Sequence, residues 1–164
     1  MRLITLTLLF LLAFGVPSAC GQAMSGMNHA DTSPMLQGTD ILDNHAYLLW
    51  LTAVSHTDGT ATDLGRQEAM ITKIRLTSDD KVALLIILAD FRSKHDALVA
   101  AYNESVSSGS PRSFASLLSD LLSLVTYTQT RINQSLTPDG AASIRIHVVN
   151  EKTRMRVPAT WGAQ

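Results

Sequence analysis

The stretch LTSDDKVALLIILADFRSKHDALVAAYNES, residues 76–105, constrains the fold more than any other part of the chain. Its apolar residues recur at helical spacing and predict one long helix from Asp79 to about Ser105. The segment VALLIILADF is apolar on nearly every side, so this half is expected to be the central helix of a bundle. Leu84, Leu88, Phe91, His95, Leu98 and Tyr102 then continue a narrower stripe. Thr77 is placed to accept a backbone N–H as N-cap. Asp80, three residues on, is placed to return the bond in a capping box, with Asp in place of Glu.

A helix of this kind needs partners, and the sequence supplies them. In TDILDNHAYLLWLTAVSH, Thr39 or Asp40 is the expected cap, and Ile41, His45, Leu48, Leu49, Thr52 and His56 recur at spacings of three and four on one face. TDGTATDLGRQEAMITKIR reads as a polar connector followed by a short helix through Leu64, Met70, Ile71 and Ile74. After the turn SVSSGSPR, Pro111 suits the first position of a helix running to about Leu136. Its apolar face holds Phe114, Leu117, Leu118, Leu121, Val125, Thr128, Ile132 and Leu136. Thr137 and Pro138 open a last helix whose apolar side is Ala141, Ile144, Val148 and Met155. The basic cluster Lys152 to Arg156 reads as its solvated last turn, where cations favour the helix dipole. The expected fold is all-α: an up-and-down helical bundle of three long and one or two short helices over residues 39–157, with a tail at 158–164.

Before the bundle, Arg2 precedes the apolar run LITLTLLFLLAFGV and the small-residue stretch PSACGQA, the layout of a bacterial secretory signal peptide over residues 1–19. A membrane-spanning helix needs about 20 apolar residues, and Pro17 with the polar stretch after it stops this run short. Cys20, the single cysteine, has two readings. Pro17-Ser18-Ala19-Cys20 resembles a lipobox, with Pro17 where leucine is usual, and makes Cys20 an acylated first residue. Cleavage after Gly21 or Ala23 removes it instead. Both leave a domain with no disulfide, exported to the periplasm or cell envelope, as an outer-membrane lipoprotein in the first case. Residues 20–38 become a flexible tether. Without Arg2 the chain has 12 Lys+Arg against 14 Asp+Glu, a balance that offers nothing to nucleic acid or to an anionic membrane surface.

The tether contains MSGMNHADTSPM, whose Met24, Met27, His29 and Met35 are soft and borderline donors suited to Cu(I). The stretch is similar to the Met/His repeats of periplasmic copper-resistance proteins, in a single copy. The alternative is a polar linker without a cofactor. Among the helices, His45, His56 and His95 lie on the apolar stripes, so a metal or haem between helices is conceivable. The ligand pattern argues against it. Glu-x-x-His pairs and Cys-x-x-Cys-His are absent, His45 and His56 are three turns apart, and adjacent residues such as His95 and Asp96 are expected to point away from each other. Hydrogen-bonded histidines at a helix seam, a possible buried polar site, are the expectation. No Gly-x-Ser-x-Gly or phosphate-cradling glycine loop occurs, and the expectation is a non-enzymatic protein.

The paired openings LTSDD and LTPDG resemble the Leu-Thr-x-x-Gln motifs of small helical periplasmic chaperones, departing at the glutamine, which is Asp80 in one copy and Gly140 in the other. KHDALVAAYN and LTPDG…EKTRM look like uncharacterised secreted all-helical bacterial envelope proteins, a likeness that implies a fold and no activity. The functional expectation is a secreted or envelope-anchored helical-bundle protein that binds or scaffolds an unknown protein or small ligand. Copper binding and a chaperone-like role are its alternatives, and a lipid on Cys20 is its only tie to the membrane.

Overall fold

A computed structural model describes residues 35–57, 59–110 and 112–158, the side chain of Thr39 excepted. The segment read as a signal peptide, Cys20, Met24, Met27 and His29 lie outside the described residues. Two compact units are present. The larger, Leu42–Glu151, carries α1 (Asp43–Ser55), α2 (Ala61–Thr72), α3 (Ser78–Ser107), α4 (Phe114–Ser135) and α5, which starts at Pro138 and ends at Lys152. The all-α bundle read from the sequence is therefore the fold, with five helices packed together. None of the described helices is long and apolar enough to cross a membrane.

α1, α3 and α4 pack against one another, and α2 packs on α1. The centre of the bundle is α1, not α3. Nine of the thirteen α1 residues are buried, Leu48, Trp50, Leu51 and Val54 among them. On α3, Leu84, Ile87, Leu88, Phe91 and His95 face inward, whereas Val82 and Ile86 are 59% and 60% exposed. Length explains the exchange. A thirteen-residue helix is about 20 Å long and can be enclosed along its whole run, whereas a thirty-residue helix of about 45 Å outreaches that partner. Each fully buried Leu or Phe contributes about 1.5–3 kcal/mol, and Leu48, Leu51, Leu84, Leu88 and Phe91 all qualify.

The helix starts follow from local chemistry. Thr60, Thr77, Ser113 and Thr137 each accept the backbone N–H three residues on, through Asp63, Asp80, Ser116 and Gly140. Ser113, not Pro111, therefore sets the start of α4, and Phe114 at its first position is exposed. α1 starts at Asp43 behind Leu42, which makes no side-chain cap, so neither Thr39 nor Asp40 begins it. At the end of α3, Gly109 takes φ +75° and closes the SVSSGSPR turn as a C-terminal glycine does.

Asp80 does not close the expected capping box with Thr77. Its carboxylate crosses to α5, where it accepts the Thr137 backbone N–H at 2.8 Å and the Thr137 hydroxyl at 2.7 Å. The third residue of α5 is Gly140, and a Cβ there would overlap Asp80 Oδ2 and lie 2.8 Å from Asp80 Cγ. Asp80 thus fills the space of the side chain that Gly140 lacks and makes the bond that a capping-box residue of α5 would have made. The Asp80/Gly140 departure from the paired Leu-Thr-x-x-Gln pattern is one complementary contact.

The smaller unit, described over residues 35–41 and 152–158, contains an antiparallel ribbon of β1 (Met35–Gln37) and β2 (Arg156–Pro158). Met35 pairs with Pro158, Leu36 with Val157 and Gln37 with Arg156. Two expectations are corrected here. Met35 is in a strand rather than a flexible tether, and of the basic cluster only Lys152 is in the last turn of α5. Met155 is buried outside the helix, and Arg156 belongs to β2. The helical spacing of Val148 and Met155 fits a run through residue 155, but the backbone leaves the helix after Lys152, and Met155 donates its N–H to the Lys152 carbonyl in a turn.

Candidate metal centre

α1 ends where its apolar run meets the polar stretch after Ser55, and His56 is its C-cap, donating its backbone N–H to the Thr52 carbonyl. The His56 ring turns back on the same carbonyl, with Nδ1 3.0 Å from Thr52 O. A carbonyl only accepts, so Nδ1 carries the proton. Nε2 then points at Asp96 Oδ1, 3.1 Å away on α3.

His95 precedes Asp96 on the same helix and is 5% exposed. Its ring packs edge-on against His56, with centroids 4.8 Å apart, and tilted over Phe91. His95 Nδ1 lies 3.2 Å from Asp96 Oδ1, and Nε2 is buried with no hydrogen-bond partner among the described residues. One carboxylate oxygen therefore faces two imidazole nitrogens. Donor atoms of His56, His95 and Asp96 all lie within 4.8 Å of one another. Around an ion with bonds of about 2.0–2.1 Å, neighbouring tetrahedral donors stand about 3.3 Å apart, close to both contacts of Asp96 Oδ1.

The electrostatics suit a cation. Burial pushes the His95 imidazole below its ordinary value, against the opposing hydrogen bond that the ring donates to Asp96 and with the charge of His56, which favours the neutral ring that binds metals. Burial raises the Asp96 carboxyl, but its hydrogen bonds with His95 and His56 and their charge outweigh that and hold it below the usual carboxylate range. A neutral His56 with its proton on Nδ1 turns a bare lone pair toward this carboxylate oxygen. That repulsive pairing is relieved only by a cation between the two, either a proton on Nε2 or a metal ion.

Of the three histidines singled out in the sequence, the structure brings His56 and His95 together and leaves His45 apart. His45 is buried on α1, and burial lowers its pKa. His56 follows the last residue of α1 and is its C-cap, with its N–H still bonded to the Thr52 carbonyl. The expected divergence of His95 and Asp96 is corrected as well: the short Asp96 side chain bends back to the Nδ1 of its neighbour. Asp96 is the residue of this cluster that sequence reasoning set aside. The signal that pointed to it was the His-Asp dipeptide itself, on a stripe facing the helix that ends in His56. Of the Met/His arm, Met35 alone is described, exposed on β1.

No known protein family, curated protein or solved structure matches the chain.

Proposed function

We propose that the chain is an exported helical-bundle protein of the bacterial envelope that binds a divalent transition-metal ion through His56, His95 and Asp96. The observation that carries the reading is the His56–Asp96 contact, in which Nδ1 is already committed to Thr52 and Nε2 faces a carboxylate oxygen. Two imidazoles and one carboxylate are borderline and hard donors, matched to Zn(II), Cu(II) or Ni(II) rather than Cu(I). The Thr52 carbonyl is the outer partner that orients a ligating histidine. Calorimetric titration with Zn(II) tests the reading. One equivalent is expected to bind, and Asp96→Asn with His56→Gln to weaken binding at least tenfold. Equal affinity in the two proteins would leave the cluster a proton-held His–Asp–His contact.

Export and anchoring belong to the same proposal and rest on the signal layout and Cys20. Cys20→Ala is expected to move the protein from the membrane fraction to the soluble one; unchanged fractionation rejects the lipid. The arm of Met24, Met27, His29 and Met35 is proposed as a separate Cu(I) ligand set, tested by Cu(I) competition with and without residues 24–35. A chaperone-like role is favoured by one observation, the exposed Val82 and Ile86 one turn apart on α3. Replacing both with Gln is expected to abolish any suppression of client aggregation in vitro, and no suppression by the intact protein ends that reading.

A further inference from the structure

We infer that the ion held by His56, His95 and Asp96 takes a small oxyanion as an exogenous ligand, with Arg92 as the second point of attachment. This inference rests on the metal reading above. Among the described residues the cluster has three donors, whereas a tetrahedral ion takes four and an octahedral one six. The cluster has one closed side and one open side. His95 and Phe91 form the buried floor, while the side chains of His56 and Asp96 are 39% and 52% exposed. Coordination positions left by these three residues therefore lie on the exposed side of the cluster.

What stands at that open side is a cation. Arg92, one turn before Asp96 on α3, has its Nε 3.7 Å from Asp96 Oδ2, the oxygen turned away from both imidazoles, and is itself partly exposed. A divalent ion with one carboxylate carries a net charge of +1, and Arg92 adds a second positive charge beside it. The site then repels further cations and gives a neutral ligand no charge to pair with, whereas an anion meets both charges at once. The guanidinium presents its N–H groups as a planar fork that matches two oxygens on one atom, the geometry shared by carboxylates and by tetrahedral oxyanions. One oxygen goes to the ion and another to Arg92.

Loading the full-length mature protein with Co(II) gives a visible spectrum that reports the coordination shell. Acetate and sulfate are then titrated separately at constant ionic strength. The expected result is a saturable band shift, with Arg92→Met weakening the anion at least fivefold while Co(II) affinity stays within threefold. Tighter sulfate assigns a tetrahedral oxyanion and tighter acetate a carboxylate. Co(II) bands that respond to neither anion, or that respond equally in Arg92→Met, overturn the inference and leave the metal reading standing. An absence of Co(II) bands overturns the metal reading, and this inference with it.

Discussion

His56 Nε2 and Asp96 Oδ1 meet at 3.1 Å although 40 positions separate them in sequence. A ligand that binds only the folded state stabilises it by about 2.7 kcal/mol at 100 times its dissociation constant. Zn(II) at that excess is therefore expected to raise the melting temperature of the wild type. His95→Leu removes one donor and the buried unpartnered Nε2 together, so its metal-free stability is expected to be equal or higher while the Zn(II) response disappears. Thermal scans with Zn(II) and with a chelator separate the two effects.

The space over Gly140 is taken by Asp80. Gly140→Ala is expected to destabilise the bundle by about 1–3 kcal/mol, the usual cost of overpacking, even though alanine is the better helix former. In an Asp80→Ala background the same change is expected to cost little, because the clashing group is gone. A double-mutant cycle by urea denaturation measures this coupling, and additive costs would refute the shared contact.

Asp80 also sets an acid dependence. The hydrogen bonds from the Thr137 N–H and hydroxyl hold its carboxyl below the ordinary value, despite burial, which acts the other way. A carboxyl depressed in the folded state contributes stability above its unfolded pKa of about 3.9 and loses it as pH falls through the folded value. Stability is therefore expected to fall on acidification below about pH 4. Asp80→Asn flattens that limb without abolishing it, since Asp90 and Asp96 are depressed as well. Chemical denaturation between pH 2 and pH 6 reads the difference in slope.

The depth of α1 and the exposed flank of α3 make opposite mutational predictions for apolar residues. Val82→Gln and Ile86→Gln are expected to change stability by no more than about 0.5 kcal/mol, as surface substitutions do. Leu88→Ala, two positions from Ile86 and buried, is expected to cost about 2–5 kcal/mol. Comparable losses at Ile86 and Leu88 would restore α3 to the centre.

Much of the fold was legible because helix periodicity and threonine caps are local properties. Thr77 and Thr137 were placed correctly from three residues of context, and the stripes Leu84–Leu88–Phe91–His95 and Leu117–Leu121–Val125 face inward as read. Depth was not legible. VALLIILADF and AYLLWLTAV are both apolar all round, and only the relative helix lengths decide which one is enclosed. The β1–β2 ribbon was missed because three residues carry no usable alternation, and Met155 continued a helical spacing by coincidence. At the candidate site, His56 and His95 were visible as stripe residues. Their meeting depended on where α1 stops, and the role of Asp96 depended on a side-chain bend that sequence spacing does not encode.

The bond from Asp80 to Thr137 also bears on the order in which the chain folds. The cap of α5 is divided: its hydroxyl is local, but the acceptor for its first N–H comes from 57 residues upstream. A local capping box helps a helix to nucleate before anything else has formed, and a divided one cannot. α5 therefore gains its full start signal only after the N-terminus of α3 has docked beside it, which makes α5 a late element on the folding path and its N-terminus the first to be released when α3 loosens.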